Sequence, residues 1–526
     1  MTRIRSATPL TTPPAPTRKL LESESLSILA VGPAACLREL YFQARELRRL
    51  SKVTFVELSQ EQYALGDYTD VIETALSQMV NDPAVRAVSI YTSCLDVLLQ
   101  TDFDSIITNV PNPRHVPILP FRRGPMVKRM ESPLENAQAI CDSLSAQNIP
   151  AATQPTRYFH SWILPPLASD FTGAVSTRAC PAPEMIILTG GGCASCPRSH
   201  DDIMGTDFSY AEIDDLDVSE GIEDAVATPS VVKAKDACRD QLIFLGTPVT
   251  DATGVDGSLL REVAARSGLE AHFQATDGFH DAVKGWSVAE FNLLKRAEPT
   301  DDPHRTVILT GWSPFVFGRP DKLRSAAELL QRHGTALIVP GLATELELRS
   351  AAHASAVWVL SDDGRPAADW LSSTYGIPLF ENVPVGASGW NQWLSKVGGY
   401  IDVSGESLSQ PLTSVNESLS GVHTTVVVPE HPALAKAVCT MLEHDLGCQV
   451  TAMPIDRLDR LPLDGNDLLV ADPLILEQRT CQSAKNIALP YPLSSGTLFI
   501  DESYEYVGDE GIEYFFQAIS DQESKQ

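Results

Sequence analysis

Short apolar runs alternate along this chain with longer segments whose apolar positions recur every three or four residues. "SLSILAVG" leads into "CLRELYFQARELRRL", "KVTFVEL" into "YTDVIETALSQMV", and "VRAVSIYTS" follows. Unbroken apolar runs of this length mark buried strands and the 3.6 period marks helices, so the rhythm predicts βαβ units with parallel sheets covered on both faces. The same rhythm returns at "RTVILTGW…DKLRSAAELLQRHGTALIVPG" and at "HTTVVVPEHPALAKAVCTMLEHDLGCQVTAMP". The fold class expected is therefore α/β, built from small doubly wound units.

Polar stretches without apolar period mark the joints: "AEPTDDPHR" at 297–305 and the Ser-rich 403–421. The opening "MTRIRSATPLTTPPAPTRK" is polar and proline-rich and lacks the apolar core of a secretory signal, so residues 1–21 are expected to form a disordered leader. The expected division is then 22–170 and 171–296 as two α/β segments, 306–402 as a Rossmann-like domain, 403–421 as a linker, 422–518 as a second Rossmann-like domain and 519–526 as a fraying tail.

The region before 296 is nearly three times the size of either of the others, which suggests repetition inside it. "SIYTSCLDVLLQTDFDSI" (89–106) lies over "LIFLGTPVTDATGVDGSL" (242–259) at an offset of 153 to 154, the latter setting Cys94 on Pro248, and "GPAAC" (32–36) lies over "GCASC" (192–196), setting Cys36 on Cys196. A tandem duplication of the first domain region is the expectation.

Composition narrows the function classes. The chain has 526 residues, 43% hydrophobic and 21% charged, which suits a globular protein with several cores. Its longest apolar runs are strand-sized, well short of the ~20 residues of a membrane helix. A net charge of -28 repels phosphate backbones and anionic lipids, so neither nucleic acid nor a membrane surface is an expected partner, and the expected location is the cytoplasm. Ten cysteines are too few for a disulfide scaffold and point to burial, metal binding or redox chemistry.

Most of those cysteines read as bland. Cys439 and Cys448 sit in a helix interior and at a strand entry, and Cys141, Cys180, Cys238 and Cys481 carry no spacing signal. Four stand out. Cys36 follows "GPAA" at a strand-to-helix turn, Cys193 and Cys196 form a CxxC after "IILTGGG", and Cys94 follows the strand "AVSIYTS". Glycine lets such a turn bend tightly, a helix N-terminus favours negative sulfur, and the carboxyl ends of strands are where open α/β sheets bind ligands. Convergence of Cys36, Cys94, Cys193 and Cys196 suits a [4Fe–4S] cluster, with structural zinc as the alternative; a CxxC alone also fits a redox dithiol or two core cysteines.

Other groups are weaker signals. No GxxxxGK[ST] loop occurs, so the chain is not expected to hydrolyse ATP. His200, Asp201 and Asp202 read as a solvated helix start, with ligation as the alternative; Trp312 and Phe315 read as packing; His423 and His431 flank a turn that can line a cleft.

Taken together, "AVGPAACLRELYFQAREL", "FVELSQEQYALGDY" and "AVSIYTSCLDVLLQTDFDSI" resemble the component 1 proteins of nitrogenase and nitrogenase-like reductases. "ILTGWSPFVFG…WLSSTYGIPLFENVPVGASG" is similar to that family's second domain and "VVVPEHPALAKAVCTMLEHDLGCQVTAMP…YVGDEGIEYFFQAI" to its third. The resemblance covers most of 26–518. It implies three Rossmann-like domains around a central cleft, an iron–sulfur cluster near a subunit interface, and electrons delivered by a separate ATP-dependent iron–sulfur reductase.

Two departures bear on the role. Cys36 fits the family's first cluster cysteine and Cys94 its last, but the middle one falls near Val53, where there is none, so Cys193 and Cys196 are the candidates to complete the set. In the family's catalytic subunit a cysteine ahead of the "YGIP"-type sequence holds the iron–molybdenum cofactor; here that place is Ser361, and no iron–molybdenum cofactor ligand is found. The resemblance thus implies a beta-type or scaffold-type member. Three functions stay open: an oxidoreductase subunit relaying electrons through a [4Fe–4S] cluster to a substrate in the cleft, though not a dinitrogen reductase; a scaffold for metallocluster assembly or structural partner of a second component 1 chain or of another copy; and an α/β protein that has lost the cluster and binds a small molecule.

Overall fold

The computed structural model describes residues 3–6, 16–122, 132–152, 164–177, 183–189, 192–197, 208–299, 305–406, 422, 424–428, 430–455, 467–478, 485–496, 508, 514, 515 and 517. The chain divides into two compact units, one of Met1–Val175, Ala182–Ser199 and Thr206–Gly285, the other of Ser176–Pro181, His200–Gly205 and Trp286–Gln526.

A short strand, β1 (Arg3–Ser6), opens the first unit. Its first sheet is made of β2 (Leu26–Gly32), β3 (Val53–Glu57), β4 (Ala87–Tyr91) and β5 (Ile118–Phe121), in the order β3-β2-β4-β5 and parallel throughout. Every residue of β2 and β4 is buried, as expected of strands covered on both faces, and this is why they read as unbroken apolar runs. Its second sheet is made of β6 (Glu184–Thr189), β7 (Ser209–Glu212), β8 (Gln241–Leu245) and β9 (Glu270–Gln274), in the order β7-β6-β8-β9, with β1 added antiparallel beside β7.

The second unit repeats the plan twice. One sheet joins β10 (Thr306–Thr310), β11 (Ala336–Ile338), β12 (Ala356–Val359) and β13 (Leu379–Glu381) in the order β11-β10-β12-β13. The other joins β14 (Thr425–Val427), β15 (Val450–Ala452), β16 (Leu468–Ala471) and β17 (Lys485–Ala488) in the order β15-β14-β16-β17. All four sheets therefore place their second strand outside their first and reverse direction between the first and third, which opens a crevice at the carboxyl ends. Because every sheet shares this order, the fold gives no special support to a duplication confined to the first region.

The opening segment departs from expectation. Far from a wholly disordered leader, Arg3–Ser6 pairs with β7 and Pro16–Glu22 is a helix that buries Leu20 and Leu21. The pairing satisfies an otherwise open sheet edge, and it is supported by an Arg5–Glu212 ion pair at 2.9 Å and a Lys233–Ser6 hydrogen bond at 2.7 Å. Most of 403–421 and the tail 519–526 lie outside the described residues. Among the described residues no helix is long and apolar enough to cross a membrane.

Candidate functional site

The four singled-out cysteines all lie in the first unit, each on a connection that leaves the carboxyl end of a parallel strand. After β2, Gly32 and Pro33 turn the chain into the helix Ala34–Glu46, whose first turn carries Cys36. After β4, Ser93 caps the helix Cys94–Leu98. Beyond β6, Gly192 leads into a single 3-10 turn over Cys193–Ser195, followed by Cys196.

Two close approaches draw these connections together. Gly32 has φ of 147°, and a Cβ there would lie 2.8 Å from Ser93 Cβ and 3.7 Å from Cys36 Cβ, so only glycine lets the ends of β2 and β4 meet. The Cys196 thiol donates to the carbonyl of Ala35 at 3.0 Å, across 161 residues of sequence. Cys193, Ala194 and Cys196 share an apolar cluster with Ala35, Phe171, Val175 and Met185. Solvent is largely excluded: Cys36 and Cys193 are 8% exposed and Cys196 4%, while Cys94 is half-buried.

The surrounding polar groups hold this arrangement. Asp96 accepts from the Ser93 amide and hydroxyl, both at 2.7 Å, and from the Tyr63 hydroxyl at 2.8 Å, which locks the turn that presents Cys94. Burial, then the Asp96 charge, pushes the Tyr63 hydroxyl well above its ordinary range, with the Ser93 hydrogen bond opposing, so it stays a donor. Arg38 is 1% exposed, one helical turn beyond Ala35, and donates to the carbonyl of Pro166 at 2.5 Å. Burial draws its pKa down to about 10, while Cys196, Tyr41 and Glu39 act the other way, so a positive charge persists beside Cys196. The sequence reading missed Arg38, Tyr63 and Asp96. For Arg38 the signal was its spacing, three residues from each of the buried Ala35 and Tyr41 on the same helix.

The donor set is of the kind that an iron–sulfur group takes. Thiols on three connections, shielded and next to a buried cation, suit an anionic thiolate-bound cluster. Zinc needs sulfurs roughly 3.8 Å apart, from Zn–S bonds of about 2.3 Å. The described residues contain one group of three or more metal-type donors within 4.8 Å, Asp170, Asp277 and His280, so no cysteine set is preassembled at zinc spacing. That Asp–Asp–His group is a turn clasp: Asp170 accepts from the amides of Phe171, Asp277 and Gly278 at 2.8–2.9 Å, and Asp277 from those of Phe279 and His280.

The other sequence candidates are placed as follows. Val53 pairs with Ile28 at the amino end of its sheet, away from the edge that carries Cys36. The helix Pro248–Thr253 packs against Cys94–Leu98, with Pro248 standing where Cys94 does in the first sheet. Ser361 is buried just beyond β12 and donates within 2.8 Å of the Gly311 carbonyl and 3.0 Å of Asp363 Oδ2. His431 sits 2.9 Å from Asp363 through Nε2, and Trp312 and Phe315 are fully buried. His200, Asp201, Asp202, His423, Cys180 and Cys481 lie outside the described residues.

The second unit also holds a buried acid that sequence reasoning passed over. Glu290 is 0% exposed, accepts from the Gly311 amide at 3.1 Å through one oxygen, and has no hydrogen-bond partner on the other. Burial raises its pKa to about 8, with the Asp363 charge adding and the Gly311 bond opposing, so it is mostly protonated at neutral pH.

Comparison with known proteins bears on this geometry. Residues 232–456 match the model of the family described as nitrogenase component 1 type oxidoreductase. Two solved structures, "Nitrogenase Cp1 at pH 6.5" and "Nitrogenase Cp1 at pH 5", align with TM-scores of 0.52 and 0.50 at 12% identity. The first alignment covers 73% of this chain and 98% of the other, and the second 72% and 92%. No curated protein is significantly similar in sequence. The chain thus carries a stretch similar to the nitrogenase component 1 type family at 232–456, and it shares with the two solved structures an α/β fold of several parallel sheets.

Proposed function

We propose that the chain is a nitrogenase-like oxidoreductase subunit in which Cys36, Cys94, Cys193 and Cys196 hold a [4Fe–4S] cluster. The observation that carries the reading is the 3.0 Å contact of the Cys196 thiol with Ala35, which sets the CxxC turn on the same helix start that bears Cys36. When bound, such a cluster stores and passes single electrons. The residues around it do the rest. Ala35, Phe171 and Met185 keep water from the sulfurs, Arg38 offsets their negative charge, and Asp96 and Ser93 fix the turn at Cys94. On this reading electrons come from an ATP-dependent iron–sulfur reductase, the substrate is bound in the interdomain cleft, and the protein works in the cytoplasm as an oligomer, with itself or with a second component 1 chain.

A second reading is favoured by one observation. Ser361, at the place of the cofactor cysteine in catalytic relatives, spends its hydroxyl on Gly311 and Asp363. That suits a scaffold for metallocluster assembly or a structural partner of a catalytic chain, without dinitrogen reduction at this subunit. The test is iron and acid-labile sulfide content, with an electron paramagnetic resonance spectrum after dithionite, on protein purified without oxygen and on Cys36→Ala and Cys196→Ala. About four irons per chain, lost in both variants, is the expected result. An iron-free but folded wild-type chain overturns the single-chain cluster and leaves the scaffold reading.

A further inference from the structure

In the second unit the helices Gly386–Val397 and Pro432–His444 pack against each other above the carboxyl ends of β12 and β13. Between them lies a cleft of about 360 Å³, within the range of small-molecule sites. Gly389 on one helix and Ala433 and Ala437 on the other line it, and their small side chains are what leaves the space open.

Its charge is unusual for a chain with a net charge of -28. Lys396 and Lys436 both line the cleft, one from each helix. Lys396 donates to the backbone carbonyl of Glu381 at 2.5 Å, a neutral acceptor that leaves the ammonium charge in place. The Glu381 carboxylate is engaged by Arg365. Lys436 is exposed and makes no ion pair among the described residues, so Asp362 at the rim is the one lining carboxylate left to face two ammonium groups. Like charges on one small cleft repel each other until an anion sits between them.

Two further features point the same way. The first turn of Pro432–His444 borders the cleft at Pro432 and Ala433, and its N-cap residue, His431, gives no side-chain cap because its ring is bound to Asp363. First-turn amides favour an oxyanion, and since Pro432 has none, Ala433 brings the one beside the cleft. Asn382, also lining the cleft, keeps its side-chain carbonyl buried without a hydrogen-bond partner, an acceptor waiting for a donor such as a hydroxyl.

We propose that this cleft binds a small phosphorylated polyol, with the phosphate held between Lys396, Lys436 and the helix start, and a hydroxyl donated to Asn382. The site is distinct from the cysteine site and does not rest on the cluster reading.

Calorimetric titration of the full chain with glycerol 3-phosphate, ribose 5-phosphate, inorganic phosphate and glycerol tests it. Binding of at least one ester is expected, tighter than inorganic phosphate and absent for glycerol. Lys396→Ala and Lys436→Ala should each weaken it by tenfold or more, and Ala437→Leu, which fills the cleft without changing charge, should abolish it. Circular dichroism checks that the variants fold. Failure of both esters to bind the folded wild type, or equal binding by the lysine variants, overturns the proposal; inorganic phosphate binding as tightly as the esters overturns its polyol part.

Discussion

The backbone of Gly32 passes so close to Ser93 that a Cβ on the glycine would come within 2.8 Å of the serine's. That approach joins the ends of β2 and β4 and sets the distance between the connections bearing Cys36 and Cys94. Gly32→Ala meets both this clash and a positive φ of 147°. The expected cost is about 2–4 kcal/mol of stability, read as a lower denaturant midpoint. Iron content per folded chain should fall with it. An unchanged midpoint would mean that the strand ends can separate freely, and that the two cysteines are not held by this contact.

Arg38 gives a sharper handle on the cysteine site. Its guanidinium is buried near Cys196 and its charge favours the more negative, reduced state of any thiolate-bound cluster. Arg38→Met should therefore shift the midpoint potential downward, by tens of millivolts for an interaction of about 1 kcal/mol. A redox titration followed by electron paramagnetic resonance reads this without any substrate. A variant that keeps its iron and its potential would show that Arg38 serves only to pin Pro166.

Much of the fold was legible because parallel strands buried on both faces cannot hide. Leu26–Gly32, Ala87–Tyr91 and Thr306–Thr310 are unbroken buried runs, and each stands out in the sequence. Arg3–Ser6 was not legible, since "RIRS" takes its strand form from an edge more than 200 residues away. The cysteine site shows the same split. Spacing and glycine singled out the four residues, but the Cys196–Ala35 contact and the burial of Arg38 come from packing between two sheets, which no local pattern encodes. The repeat between 89–106 and 242–259 followed a real likeness of strand order, yet that order recurs in all four sheets and belongs to the doubly wound plan.

Removal of residues 1–6 tests the role of the opening strand. Arg5–Glu212, Lys233–Ser6 and the packing of Ile4 on the second sheet's core would all go, and the edge of β7 would be bared. A loss of about 1–2 kcal/mol is expected, with greater light scattering on standing, because an open edge invites pairing between copies. Equal stability and equal scattering would mean that the strand adds nothing to the folded unit.

Glu290 makes the stability of the second unit depend on pH in a predictable sense. Its ordinary pKa is 4.5 and burial raises it to about 8, so between these values the folded chain holds a proton that the unfolded chain has released. Linkage then requires stability to fall as pH rises through that window and to level off above it, a total of a few kcal/mol for a fully buried group. Glu430 and Asp472, raised to about 8 and about 6 chiefly by burial, act with the same sign, so the share of Glu290 must be taken by difference. Glu290→Gln keeps the shape and the Gly311 hydrogen bond while removing the titration. Relative to the wild type, its denaturant midpoint should rise as pH goes from 5 to about 8 and level off above that. Parallel curves across that range would show that Glu290 is ionised in the folded chain and that its charge is met by groups other than Gly311.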